Sequence, residues 1–295
     1  MESVHQSVLL NETIEGLNLQ PKSLVMDCTF GGGGHSAEIC KRYPGVKIIA
    51  LDQDKSAFGK AENKFKDLNC DITFVNTNFK DLDKAGVKEV DGIIFDLGLS
   101  SDQLENSGRG FSFMKDEPLQ MTMKENPRAE DLTASDVVNG WSEKSLADII
   151  YGYGEERFSR RIAKGIVDAR QKGEIKTTFE LVKIIGGSVP AAYRRGRLHF
   201  ATRTFQALRI AVNDELGVLK IGLEKGFKLL KVGGRISVIS FHSLEDRVTK
   251  RFFKEMEKEG IAKLVNKKPM TATAEEIKNN PRSRSAKLRV IEKIK

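Results

Sequence analysis

The sequence predicts an α/β protein: a doubly wound, mostly parallel sheet interrupted by an inserted all-helical domain. Three observations predict it. Short β-rich runs alternate with helical stretches up to residue 96, the pattern of strands joined by crossover helices. Between about 101 and 198 no clear strand appears, and helical periodicity takes over. A β-rich run then returns at 235–241.

The elements follow in order. Residues 24–28, Leu-Val-Met-Asp-Cys, read as a buried strand. Residues 35–43 read as a helix with Ala37, Ile39 and Cys40 among its apolar positions. A second strand spans 47–52, a second helix 55–65, a third strand 72–75 and a fourth 91–96. Helices are expected at 143–150, 155–170 and 179–186. A long one is expected over 201–230, stopped by Gly233-Gly234. The fifth strand is 235–241. Ser243-Leu-Glu-Asp246 then opens a helix with a capping-box pattern. Weaker strands are expected near Leu264 and at 288–291. The expected organisation is a first sheet segment at 1–103, a helical substrate-recognition insert at 104–198, and a second sheet segment with a basic end at 199–295.

Composition narrows the class. Of 295 residues, 39% are hydrophobic and 31% charged, enough apolar material for a sizeable core. No apolar run approaches the ~20 residues that span a bilayer. The opening Met1-Glu-Ser-Val-His lacks the basic and apolar regions of a signal peptide. Cys28, Cys40 and Cys70 show neither a disulfide framework nor metal-ligand spacing. Reduced thiols, a cytoplasmic location and no metal are therefore expected. The net charge of +8 is unevenly placed: residues 247–295 hold 15 Lys/Arg against 6 Asp/Glu, while the preceding 246 hold 34 against 35. A basic segment of this kind suits a polyanion, most simply nucleic acid, or is a solvated tail.

Asp27-Cys-Thr-Phe-Gly-Gly-Gly-Gly-His-Ser36 joins the first strand to the first helix. No Gly-Lys-Ser/Thr follows, so it is not a phosphate-binding P-loop. Ser36 stands where a dinucleotide fingerprint needs its third glycine. Asp52 ends the second strand, 19 residues beyond Gly33, the spacing of an acid that accepts hydrogen bonds from a ribose diol. Together these point to a nucleoside-containing cofactor. The departure from the nicotinamide pattern favours S-adenosylmethionine, whose cationic sulfonium requires no pyrophosphate cradle. Asp27 either faces the ligand's amino group or organises the turn. Asp96-Leu-Gly-Leu-Ser-Ser101 follows the fourth strand, where open α/β sheets place reactive groups.

The chain resembles the ribosomal RNA small-subunit methyltransferase H (MraW) family. The segments that carry the resemblance are 5–10, 27–36, 91–101, 109–113 (Arg-Gly-Phe-Ser-Phe), 153–158 (Tyr-Gly-Glu-Glu-Arg-Phe), 201–216, 237–247 and 280–289. The resemblance implies a class I methyltransferase-like fold and S-adenosylmethionine as cofactor. It implies N4-methylation of a cytidine in 16S rRNA at the decoding site, with the small ribosomal subunit as the partner that carries it. It implies a methyl-donor site of Gly33, Gly34, His35, Asp52, Phe79, Asp96 and Gln103. One segment departs: where members usually read Pro-Leu-Asp-Met-Arg-Met-Asp, this chain has Gln120, Thr122 and Lys124. The other reading left open is a non-catalytic RNA-binding or ribosome-assembly factor that retains a methyl-donor pocket.

Attack at cytosine C5 needs a Cys nucleophile, and none of the three cysteines lies in a Pro-Cys motif or after the fourth strand. An exocyclic amine needs no covalent intermediate, only alignment and an acceptor for its proton. Asp96 is the expected acceptor, Ser100 a helper and His242 a substrate contact. Asp246 is either a substrate contact or the end of the capping box. RNA is expected at Arg194, Arg195, Arg197 and Arg203, in a stretch free of acids, and at Arg282, Arg284, Lys287 and Arg289, because the planar guanidinium fork suits phosphate.

Overall fold

The computed structural model describes residues 7–66, 68, 70–124 and 127–295, with backbone alone at 60, 62, 63, 101, 102 and 105. His5 and Gln6, in the first segment of the resemblance, lie outside these residues.

In chain order the first part holds α1 (Leu10–Leu17), β1 (Leu24–Asp27), α2 (Gly34–Arg42), β2 (Lys47–Asp52), α3 (Ser56–Lys66), β3 (Asp71–Asn76), a 3-10 turn (Phe79–Lys84) and β4 (Val90–Asp96). The helices α4 (Ser101–Asn106), α5 (Ala134–Gly140), α6 (Glu143–Gly152), α7 (Ser159–Arg170), α8 (Thr178–Ser188), α9 (Ala191–Arg194) and α10 (Thr202–Asn213) follow. The chain ends through α11 (Glu215–Leu229), β5 (Leu230–Ser240), α12 (Ser243–Lys258), β6 (Ala262–Leu264), α13 (Ala274–Asn279), a second 3-10 turn (Pro281–Ser285) and β7 (Lys287–Lys293).

All seven expected strands join one sheet in the order β3-β2-β1-β4-β5-β7-β6. The first five are mutually parallel, and β7 runs antiparallel between β5 and β6. Alternate residues of the central strands enter different cores, which is why these strands read as unbroken apolar runs. Met26, Ile93 and Phe95 pack with Leu219, Leu223 and Phe227 of α11. Val25, Ile48 and Ile94 pack with Ile14 and Leu17 of α1 and Ile39 of α2.

The chain divides into two compact units, Met1–Gly98 with Leu216–Lys295, and Leu99–Glu215. The second boundary thus falls at 215/216, where the sequence suggests 198/199. The second unit has its own core, built from Val137, Val138, Leu146, Ile150, Ile162, Ile166, Leu181, Ile185, Phe205 and Leu208. Among its described residues the only β contact is an isolated bridge between Pro118 and Thr177. The segment that departs from the family pattern is held there by backbone bonds. Arg109 donates through Nη1 to the carbonyls of Met123 and Lys124, and the Asn213 side chain brackets Met121 O and Met123 N at 2.8 Å each. Lys124 also reaches Asp131.

Four expectations are corrected. The helix expected at 201–230 is two helices, because Asp214 adopts the left-handed region at φ 46°. The helix expected from 155 starts at Ser159. Glu155 is left-handed at φ 50°, and the Arg203 guanidinium fixes its carbonyl at 2.9 Å. The capping box of α12 is His242 with Glu245, one residue earlier than the pattern suggested. Finally, Cys40 and Cys70 form a disulfide, and Cys28 alone is free. Cys40 sits in the last turns of α2 and Cys70 just before β3, so the fold joins cysteines 30 residues apart at a Cα separation of 5.5 Å. Among the described residues no helix is long and apolar enough to cross a membrane.

Candidate functional site

β1 and β4 are neighbours, with Asp27 beside Ile94, while the chain winds outward from β1 to β3 on one side and from β4 to β5 on the other. The crevice beyond their carboxyl ends is therefore the topological switch point, where open α/β sheets bind ligands. The glycine turn leaves β1 at this place. Gly33, at φ 64°, caps α2, and a Cβ there would lie 2.5 Å from the Phe30 ring. A Cβ on Gly34 would come within 1.9 Å of Ser7 Oγ. Phe30 is itself held by Phe58, Phe65 and Phe74 at ring distances of 5.3–5.8 Å, which gives the turn a rigid backing.

The acids around the turn have distinct tasks. Asp52 accepts the Gly31 amide at 2.8 Å through Oδ2 and the Asp54 amide at 2.9 Å through Oδ1. Asp27 is buried, accepting the Ser36 hydroxyl at 2.6 Å and the Thr29 amide at 3.3 Å. Of the two roles open to Asp27, these bonds are those of a residue that organises the turn. The Asp96 backbone amide donates to Thr29 Oγ1 at 2.6 Å, while its side-chain Oδ1 is buried without a hydrogen-bond partner among the described residues. His35 is buried beside it. Its Nε2 donates to the Val8 carbonyl at 3.2 Å, because a carbonyl can only accept, and its Nδ1 stands 3.6 Å from Asp96 Oδ2.

Burial dominates the electrostatics. It pushes the carboxyls of Asp27 and Asp52 up to about 6. Asp96 is pushed up to about 8, by burial first and then by the charges of Asp27 and Glu245. Among the described residues, no Lys or Arg pairs with any of the three. Three desolvated acids without a cation make a crevice that attracts positive charge.

The remaining expected site residues have partners of their own. The Phe79 ring packs edge-on against Phe95 at 5.4 Å, over Gly222, where a Cβ would come within 2.7 Å of it. Ser100 and Gln103 belong to the helical unit and cap α4 reciprocally: Gln103 N donates to Ser100 Oγ and Ser100 N to Gln103 Oε1, both at 3.1 Å. His242 Nδ1 accepts the Glu245 amide at 3.3 Å. Asp246 does not finish that box. It accepts from Arg289 Nε at 2.7 Å and Lys287 Nζ at 3.3 Å. Burial would raise its pKa, but Arg289 more than offsets this and holds it below the usual carboxylate range. Arg289 is consequently buried, whereas Arg282 and Arg284 are exposed. In the helical unit Arg194, Arg195 and Arg197 are exposed, and Arg203 braces Glu155. Sequence reasoning missed Thr29 and Ser36, which orient Asp96 and Asp27; short polar residues in a turn carry no signal of which acid they serve.

A pyrophosphate entering this crevice would meet three carboxyls, whereas a sulfonium is drawn to them. The residues fit such a ligand on two counts: Asp96 Oδ1 is a buried acceptor in want of a donor, and the Gly33 turn leaves room a side chain would fill. With a seven-stranded sheet whose last strand is inserted antiparallel, fold and crevice are those of a class I S-adenosylmethionine-dependent methyltransferase. The chain belongs to the MraW methylase family, which matches residues 2–294. It is 47% identical to a protein named ribosomal RNA small subunit methyltransferase H from Clostridium botulinum, over 100% of both chains. A relative of the same name from Limosilactobacillus fermentum is 45% identical, over 99% of this chain and 98% of its own. Among solved structures, an rRNA methylase from Streptococcus thermophilus aligns over 97% of this chain and 94% of its own, at 13% identity and a TM-score of 0.45.

Proposed function

We propose that this chain methylates N4 of a cytidine in small-subunit ribosomal RNA, at the decoding site, with S-adenosylmethionine as donor. The observation that carries the reading is the unpartnered Oδ1 of Asp96, buried at the carboxyl end of β4. Gly33, Gly34 and His35 at the head of α2, with Asp52 at the end of β2, would hold the donor, and Phe79 would lie on its adenine side. When bound, the donor supplies an electrophilic methyl group on a cationic sulfur.

The residues then have separate work. The exocyclic amine is a weak nucleophile because its lone pair is delocalised into the ring, so it must be aligned and relieved of a proton. In its ionised form, which a neighbouring cationic sulfonium would favour, Asp96 would accept an N4–H bond and take that proton. Thr29 holds the Asp96 backbone amide, and His35 stands beside its carboxyl. Ser100 and His242, each tied into a helix cap, position the segments that carry them, with Gln103 completing the first of these caps. No cysteine competes for a C5 mechanism: Cys40 and Cys70 are joined, and burial raises the Cys28 thiol well above its ordinary value.

The substrate is read as rRNA within the small ribosomal subunit, in the cytoplasm. The exposed Arg194, Arg195 and Arg197 of the helical unit, and Arg282 and Arg284 near β7, would contact its phosphates, whereas Arg203 is spent on the Glu155 carbonyl and Lys287 and Arg289 on Asp246. Nucleoside mass spectrometry of small-subunit rRNA from cells with and without the protein tests the reading. Loss of N4-methylcytidine at one position is expected. Loss of 5-methylcytidine, or no change, would overturn it.

A further inference from the structure

The helical unit carries an open depression of about 480 Å³, within the size range of ligand sites, at the junction of α6 and α7. None of its residues belongs to the crevice described above. Its rim combines one exposed aromatic, Tyr151 at 67% exposure, with three exposed arginines, Arg157, Arg160 and Arg161. No ion pair links these arginines to a described acid. Asp148, the acid on the rim, pairs with Lys144 at 2.9 Å. Glu156 is fully buried and spent on the Phe158 amide and the Tyr193 hydroxyl. The positive charge is therefore not cancelled from below.

Arg157 is also pre-set. Its guanidinium lies over the rings of Phe158 at 4.8 Å and Tyr193 at 5.1 Å, which restricts it to presenting its N–H edge outward. Arg161 lies over Phe158 as well, at 5.8 Å. Arg160 and Arg161 occupy the first turn of α7, which has no side-chain cap and no acid. Cations there oppose the helix dipole, and an anion in front of that end would relieve the conflict.

We infer that this depression binds a single-stranded RNA segment, one base stacking on Tyr151 and the flanking phosphates lying on Arg157, Arg160 and Arg161. A flat exposed ring beside guanidinium edges fits a polynucleotide, because a base and a phosphate alternate at that scale. An acidic peptide would use the arginines but not the ring. The inference rests on the reading that RNA is the substrate, and it adds a contact distinct from the methylated nucleotide.

The test is fluorescence anisotropy of a labelled single-stranded oligoribonucleotide with the full chain, across a salt series. Tyr151→Ala is expected to weaken binding about tenfold at every salt concentration, and Tyr151→Phe to restore it, since only the ring is needed. Arg160→Ala with Arg161→Ala is expected to lower the log–log salt slope by about 1.4, at roughly 0.7 per phosphate contact. Calorimetric affinity for S-adenosylmethionine should stay unchanged in all three. If these variants bind RNA like the parent chain, or if Tyr151→Ala alone has no effect, the site falls while the methyltransferase reading stands. A parent chain that neither binds nor methylates rRNA would instead overturn that reading.

Discussion

Asp52 Oδ2 accepts the Gly31 amide at 2.8 Å, tying the acid at the end of β2 directly to the glycine turn that follows β1. One carboxylate therefore shapes the turn and holds the Asp54 amide as well. Asp52→Ala should lower S-adenosylmethionine affinity by more than tenfold, the effect of a charged hydrogen bond of about 1.5–3 kcal/mol. Isothermal calorimetry reads this directly. An unchanged affinity would remove Asp52 from the site.

Asp96 predicts an opposition between stability and catalysis. Its folded pKa of about 8 lies above the ordinary 3.8, so the folded state binds its proton more tightly than the unfolded chain does. The resulting stabilisation is complete below about pH 4 and is lost as pH rises through about 8. Asp96→Asn, neutral at every pH, should match the parent chain near pH 4 and exceed its Tm at pH 9 by roughly ten degrees, since each pKa unit of the rise is worth about 1.4 kcal/mol. Methyl transfer should fall by orders of magnitude in the same variant. Differential scanning calorimetry at both pH values, with a transfer assay, checks the pair of effects.

Arg289 and Arg284 should separate folding from binding. Arg289→Ala strands a partly buried Asp246 and should cost about 1.5–3 kcal/mol, with Lys287 left as a weaker partner. Arg284→Ala, on the exposed 3-10 turn, should leave the urea midpoint within experimental error yet flatten the salt dependence of RNA binding by about 0.7 in log–log slope.

Asn213 is the clasp of the unusual segment at 118–124. Asn213→Ala frees Met121 O and Met123 N together and should destabilise the helical unit by about 1–3 kcal/mol. Gln120→Asp, which restores the residue usual in the family, should change stability by no more than about 0.5 kcal/mol. Chemical denaturation of the two variants compares them.

Thiol titration of the unfolded, unreduced protein should count one reactive cysteine, Cys28, and three after reduction. Three before reduction would show that Cys40 and Cys70 are unjoined.

The strands were legible because both faces of the sheet are buried, so Ile93, Ile94 and Phe95 form one apolar run bounded by Asp91 and Asp96. The glycine turn and Asp52 were legible because their partnership is encoded in spacing. What escaped depended on conformation or on distance. Nothing in Asp214 as a letter separates a helical residue from one at φ 46°. His242 is an uncommon N-cap, so Ser243 drew the assignment. Gly222 under Phe79 and Cys40 beside Cys70 are contacts between elements far apart in sequence, which no local pattern announces.

The seventh strand has a consequence for assembly. β7 is the last strand in sequence, yet it lies between β5 and β6, so both expose unpaired edges until it is in place. During vectorial synthesis the nascent sheet thus stays open between β5 and β6, next to its edge, until β7 follows. Closing it demands a pairing of high contact order with β5, and the half-formed sheet is exposed to edge-to-edge aggregation in the interval.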